Sequence, residues 1–232
     1  MNKIVFLVFI TIAVFFLLNS YSSYSPPSRK AFYEKASQIK QNFPSQNPRL
    51  WKVINGPFLH HLTHTDHNKP AVIFLGHKSQ KETVDCFSAK LSKLYALKCG
   101  NTPVEIDGLQ PMKSHRSLRE TVENATNNGA CTILIRDFDK IHPSSLMAFY
   151  HFADSELFTN VAFILTANVE DSFNDDDVSD HYKWSQKVSN YFTNLWREID
   201  PKVMTIDRIK PLLSRVTDLE AIIAKENDLS YC

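Results

Sequence analysis

Four short stretches of this 232-residue chain carry side chains of the kind that phosphate chemistry uses. The first is Gly76-His77-Lys78-Ser79-Gln80-Lys81-Glu82-Thr83, which follows the apolar run Ala71-Val72-Ile73-Phe74-Leu75. A phosphate-binding loop needs G-x-x-x-x-G-K-[ST]. Its glycines let backbone N–H groups close on phosphate, its Lys reaches the β/γ oxygens and its hydroxyl holds Mg²⁺. Here there is one glycine and no Gly-Lys-Ser/Thr, so a phosphate cradle is not expected. The second stretch, Arg136-Asp137-Phe138-Asp139, places two carboxylates after an apolar run, where a Mg²⁺ ligand could sit. Without bound phosphate to share the metal, the expected roles are plainer: Asp137 ends a strand and Asp139 caps a turn. The third, Thr166-Ala167-Asn168, ends another apolar run in a polar residue. The fourth is Lys210-Pro211-Leu212-Leu213-Ser214-Arg215-Val216. An arginine is always charged and offers a rigid fork of donors, which suits it to stabilising a transferring phosphoryl group. Taken alone, one Arg on a helix reads as a surface ion pair.

Other clusters point to no chemistry. His60, His61, His64 and His67 are dense, and His60 and His64 have the four-residue spacing of two metal ligands on a helix. Gly56-Pro57 and Pro70 flank them, so a polar connection is expected and no metal. The acidic segment at residues 170–180 lacks the glycine and terminal Glu of an EF-hand loop and reads as a solvated loop. No G-x-S-x-G elbow exists for a serine hydrolase.

The elements that must position these stretches alternate. Continuous apolar runs at residues 71–75, 131–135 and 161–166 read as buried strands, with a shorter one at 104–106. Helical spacing covers residues 30–43, 82–97, 114–126 and 180–196, and Pro143 starts a helix running to residue 152. Residues 49–62 read as partly helical, with an interruption at Gly56-Pro57. Near the end, residues 203–206 read as a last strand, and 209–216 and 219–224 as helices. Strands alternating with helices imply an α/β fold whose mainly parallel sheet is covered by helices.

Hydrophobic residues make up 43% of the chain and charged residues 22%, enough apolar content for a packed core. A net charge of +1 argues against a dedicated nucleic-acid binder. Residues 4–18 are apolar apart from Thr11, and Tyr21 and Tyr24 follow. Residues 1–24 are therefore expected to be a signal anchor or a signal peptide, residues 25–68 a linker and short helices, and residues 69–232 the domain, facing a lumen. Cys86, Cys99, Cys131 and Cys232 allow three full pairings, and the sequence does not choose among them. Asn124-Ala125-Thr126 is a candidate glycosylation site.

Together, a strand–loop–helix without a phosphate loop, an acidic strand end, a polar strand end and a Leu-Leu-Ser-Arg run resemble a degenerate, P-loop NTPase-like AAA+ core. On a luminal domain this is similar to the torsin-interacting proteins of the nuclear envelope and endoplasmic reticulum. The resemblance covers residues 69–232 and includes Val104-Glu105-Ile106-Asp107-Gly108, Phe138 and Phe149-Tyr150. It implies a domain with no nucleotide or other cofactor of its own. Such a domain activates an ATP-bound torsin-type AAA+ ATPase in trans, in a heteromeric assembly, with Arg215 as the arginine finger, exposed in the free domain. It also implies a disulfide between Cys86 and Cys232, and a location in the endoplasmic reticulum or nuclear-envelope membrane with the domain in the lumen. Long N-terminal regions are usual in that family, whereas here Met1, Asn2 and Lys3 precede the apolar run, so a lamin- or chromatin-binding role is not expected. Two other readings compete: a divergent NTPase using Lys78 or Lys81, Asp137 and Asn168, and a luminal adaptor that activates nothing.

Overall fold

The computed structural model describes residues 25–64, 68–110, 114–169 and 181–232. The apolar run at residues 4–18, His67 and the acidic stretch at residues 170–180 lie outside them. Among the described residues, no helix is long and apolar enough to cross a membrane.

The three continuous apolar runs form the middle of a five-stranded parallel sheet. They are β1 (Ala71–His77), β3 (Thr132–Arg136) and β4 (Ala162–Asn168), and nearly every residue in them is buried. The two edges are β2 (Val104–Asp107) and β5 (Leu219–Ile222). The order is β2-β3-β4-β1-β5. Both edges are four residues long and carry acidic side chains (Glu105 and Asp107 on β2, Glu220 on β5), which discourages pairing with another chain.

Each face of the sheet is covered, as buried parallel strands require. One layer consists of α1 (Arg29–Asn42), α2 (Pro48–Val53), α3 (Leu59–Thr63) and α4 (Lys81–Ala96). The segment expected to lead into the domain thus packs on it: Phe32, Phe43, Leu50, Phe58 and Leu59 share a core with Ile73, Leu75 and Phe87. The interruption expected at Gly56-Pro57 is a π-helical turn (Ile54–Phe58) that widens the helix and lets it continue from α2 to α3. The other layer consists of α5 (His115–Asn127), α6 (Pro143–Leu146), α7 (Ala148–Asp154), α8 (His181–Ile199) and α9 (Ile206–Val216). Its core is aromatic. Phe152 stacks on Phe163 at 5.2 Å between centroids, and Phe138 meets Phe192 edge-on at 5.8 Å.

Three local expectations need correction. The helix foreseen at residues 143–152 is broken after Leu146 into α6 and α7. Residues 203–206 form no strand: Val203 ends a turn, Met204 is buried after it, and Ile206 opens α9. Residues 219–222 are the edge strand β5, where a helix was foreseen, with Ile73 opposite Leu219 and Gly76 opposite Ile222.

The chain leaves β1 through α4 on one face and leaves β4 through α8 and α9 on the other. The topological switch therefore lies between the carboxyl ends of β1 and β4, where His77 is paired in register with Asn168. In open α/β sheets that crevice is where ligands bind.

Candidate functional site

The switch-point crevice gathers His77, Lys81, Asp137, Asp139 and Asn168, and most of their polar groups are turned on one another. Lys81 Nζ donates to both carboxylate oxygens of Asp137, at 2.9 and 2.8 Å. Burial works against the charge on Lys81. The Asp137 hydrogen bond and the neighbouring Asp85 and Asp137 carboxylates outweigh it and hold the ammonium above the usual lysine range. Asp137 is the one non-glycine among the described residues with positive φ, at 49°, a left-handed conformation that Asp tolerates better than most residues. It is held there by Gly108, whose N–H donates to the Arg136 carbonyl at 2.8 Å. A Cβ on Gly108 would lie 2.2 Å from the Asp137 carbonyl oxygen, so this approach requires glycine.

Asp139 is 2% exposed; one of its oxygens accepts the Asn168 backbone N–H at 3.2 Å and the other lies 2.9 Å from Lys140 Nζ. It caps the end of β4. In the loop after β1, the Lys78 N–H donates to the Gln80 side-chain oxygen at 3.0 Å, so that amide is used within the loop. His77 is buried and donates its Nδ1–H to the Lys78 carbonyl at 3.0 Å, and burial lowers its pKa. A Cβ at Gly76 would meet the Trp184 ring at 3.3 Å, so the indole closes over the glycine where a phosphate loop would open.

The second site is the C-terminal end of α9, whose inner face buries Ile209, Leu212, Leu213 and Val216. This packing sets Arg215 against α7. Its guanidinium carbon lies 4.7 Å from the Tyr150 ring centroid. Nη1 donates to the Pro211 carbonyl at 2.9 Å, and Nη2 is 3.5 Å from Asp154 Oδ1. Nε is buried with no hydrogen-bond partner among the described residues. The Tyr150 hydroxyl donates to the Arg208 carbonyl at 2.5 Å and so ties α7 to the start of α9. The Arg215 side chain is 27% exposed and that of Asp154 66%. The expectation of an exposed arginine is corrected accordingly: it lies over the Tyr150 ring, half-buried. That contact spans 65 residues, and no local sequence signal could have revealed it.

The four cysteines form two bridges. Cys86 on α4 joins Cys232, with Cα atoms 5.7 Å apart. Cys99 joins Cys131, with Cα atoms 6.1 Å apart. The C-terminal segment is further fixed by Gln46, whose side-chain amide pairs with the Ala224 backbone in both directions, at 2.8 and 2.9 Å. The Cys99–Cys131 bridge sits beside Lys98. That ammonium donates to the His61 and His64 carbonyls, and burial pulls its pKa down to about 8. His60 and His64 stack at 3.9 Å between ring centroids, and among the described residues no His/Cys/Asp/Glu group is arranged to hold a metal. Asn124 is exposed on the last turn of α5.

Comparison with known proteins adds a lineage to this geometry. The family model described as Lamina-associated polypeptide 1, AAA+ activator domain, matches residues 16–231. Torsin-1A-interacting protein 1 of Bos taurus is 24% identical over 211 residues, covering 85% of this chain and 35% of that protein. The Homo sapiens protein of the same name is 24% identical over 213 residues, covering 85% of this chain and 36% of that protein. The chain thus spans about a third of the length of the curated relatives it matches.

Proposed function

Because the chain belongs to the Lamina-associated polypeptide 1 AAA+ activator domain family, we propose that it activates a torsin-type AAA+ ATPase and takes no part in catalysis as an enzyme itself. In this reading the domain docks beside an ATP-bound torsin subunit and presents Arg215 to the γ-phosphate. There the guanidinium spreads positive charge over oxygens that become more negative as the phosphoryl group transfers. The observation that carries the reading is the position of Arg215. It sits near a helix end, half-buried, with one long contact to a mostly exposed carboxylate and, among the described residues, an Nε without a partner.

The mutual neutralisation of Lys81 and Asp137 and the Trp184 lid over Gly76 support a domain that binds no nucleotide. They count against the divergent NTPase, because Lys81 would have to leave Asp137 before reaching a phosphate. Residues 4–24, read as a membrane anchor, would hold the domain in the lumen of the endoplasmic reticulum or nuclear envelope. The two disulfides suit that compartment, and a glycan on Asn124 would project from an exposed helix turn.

The test is ATP hydrolysis by a torsin-type ATPase with and without the full chain, alongside the chain alone. Stimulation by the mixture, silence from the chain alone and loss of stimulation with Arg215→Ala are expected. Hydrolysis by the chain alone would move the assignment to the NTPase. Normal stimulation by Arg215→Ala would remove the finger, and a complex that forms without stimulation would leave an adaptor.

A further inference from the structure

The guanidinium of Arg215 is under-satisfied in a specific way. Charge-assisted N–H···O contacts run about 2.7–2.9 Å, and its one carboxylate partner among the described residues stands at 3.5 Å. Nε is buried without an acceptor, while Nη1 is fixed to a carbonyl of its own helix. The guanidinium carbon lies over the Tyr150 ring at 4.7 Å, and Tyr150 is itself anchored through the Arg208 carbonyl. The side chain is therefore held in place by an aromatic surface and loosely occupied by an anion.

We infer that Asp154 is a placeholder anion for the phosphoryl oxygens and that Tyr150 is the positioning residue for Arg215; this rests on the finger reading above. Asp154 is short, mostly exposed and at the last position of α7, so it can yield the guanidinium to a stronger acceptor. A γ-phosphate carries more charge and more oxygens than one carboxylate and wins the exchange, whereas a diphosphate-bound partner presents no γ oxygens and leaves Arg215 on Asp154. Asp154 thereby keeps the guanidinium paired until a triphosphate-bound partner arrives, at a cost in affinity for that partner. Tyr150 acts differently, because its ring supports the guanidinium without competing for the N–H donors.

The two roles predict different kinetics. In the stimulation assay with the full chain, Asp154→Asn is expected to lower the half-saturating concentration about two- to fivefold, the range of an exposed ion pair, with the gain confined to that term. Tyr150→Ala is expected to lower the stimulated plateau several-fold while Arg215 remains, and Tyr150→Phe, which keeps the ring, to restore most of it. Thermal melting of each variant separates these effects from misfolding. An unchanged half-saturating concentration in Asp154→Asn would overturn the exchange, and a lowered plateau would make Asp154 an anchor for Arg215. A Tyr150→Phe plateau as low as that of Tyr150→Ala would remove the ring's role. If Arg215→Ala stimulates normally, the finger reading fails first and its failure is visible separately.

Discussion

Lys81 and Asp137 neutralise each other across 2.8 Å at the point in the sheet where a nucleotide would be expected. Each residue taken alone invites a catalytic reading, and their pairing counts against it. Asp137→Asn keeps a residue that tolerates the left-handed backbone but discards the charge. It is expected to cost about 1 kcal/mol in denaturant unfolding, since Lys81 is half-exposed. Neither it nor the native chain is expected to bind ATP by calorimetry. ATP binding by the native chain would contradict the neutralised-crevice reading.

Gly108 is the tightest steric requirement on the same strand ends. With a Cβ placed 2.2 Å from a carbonyl oxygen, Gly108→Ala must displace the β2 end or the Asp137 turn. A loss of about 2–3 kcal/mol is expected, read as a lower melting temperature. An unchanged melting temperature would mean that the two strand ends separate freely.

Lys98 gives a pH dependence with a definite sign. Its folded pKa, about 8, lies below the value of an unfolded lysine, so between pH 8 and about 10.4 the unfolded chain binds more protons. Stability from this group therefore rises with pH across that window and is lost as pH falls through 8. Because the side chain is partly exposed, the direction is the prediction. The pH dependence of unfolding in the native chain minus that of Lys98→Met should show the rise, and identical profiles would contradict it.

The Cys99–Cys131 bridge closes a short loop between the end of α4 and the start of β3. Replacing both cysteines with Ser is expected to cost about 3–4 kcal/mol on the chain-entropy estimate. Mapping of non-reduced peptides should recover Cys99 with Cys131 and Cys86 with Cys232; any crossed pairing would refute the arrangement.

The sheet was legible in the sequence where strands are apolar on both faces. The runs ending at Leu75, Ile135 and Thr166 could hardly be anything else. The edge strand β5 was not legible, because Leu219 to Ile222 is a short mixed run that periodicity cannot separate from a helix, and pairing with β1 decides it. Val203 to Ile206 failed in the opposite direction: a strand was read where the chain turns at residues 201–203 and re-enters a helix at Ile206, with Met204 buried between them. At the candidate site, the resemblance supplied Arg215 and the Cys86–Cys232 pair. The contacts that determine how Arg215 is held, Tyr150 and Asp154, come from another helix and leave no trace in local spacing. The second bridge joins the two cysteines to which the resemblance assigned no role.

The Cys86–Cys232 bridge turns everything from α4 to the C-terminal segment into one covalent ring, with the Cys99–Cys131 ring nested inside it. A protease that cuts once between residues 87 and 98, or between 132 and 231, severs the backbone but separates nothing. The pieces stay in one molecule of unchanged mass apart from the added water, and part only under a reducing agent. On a gel the same nicked protein would look whole without thiol and broken with it.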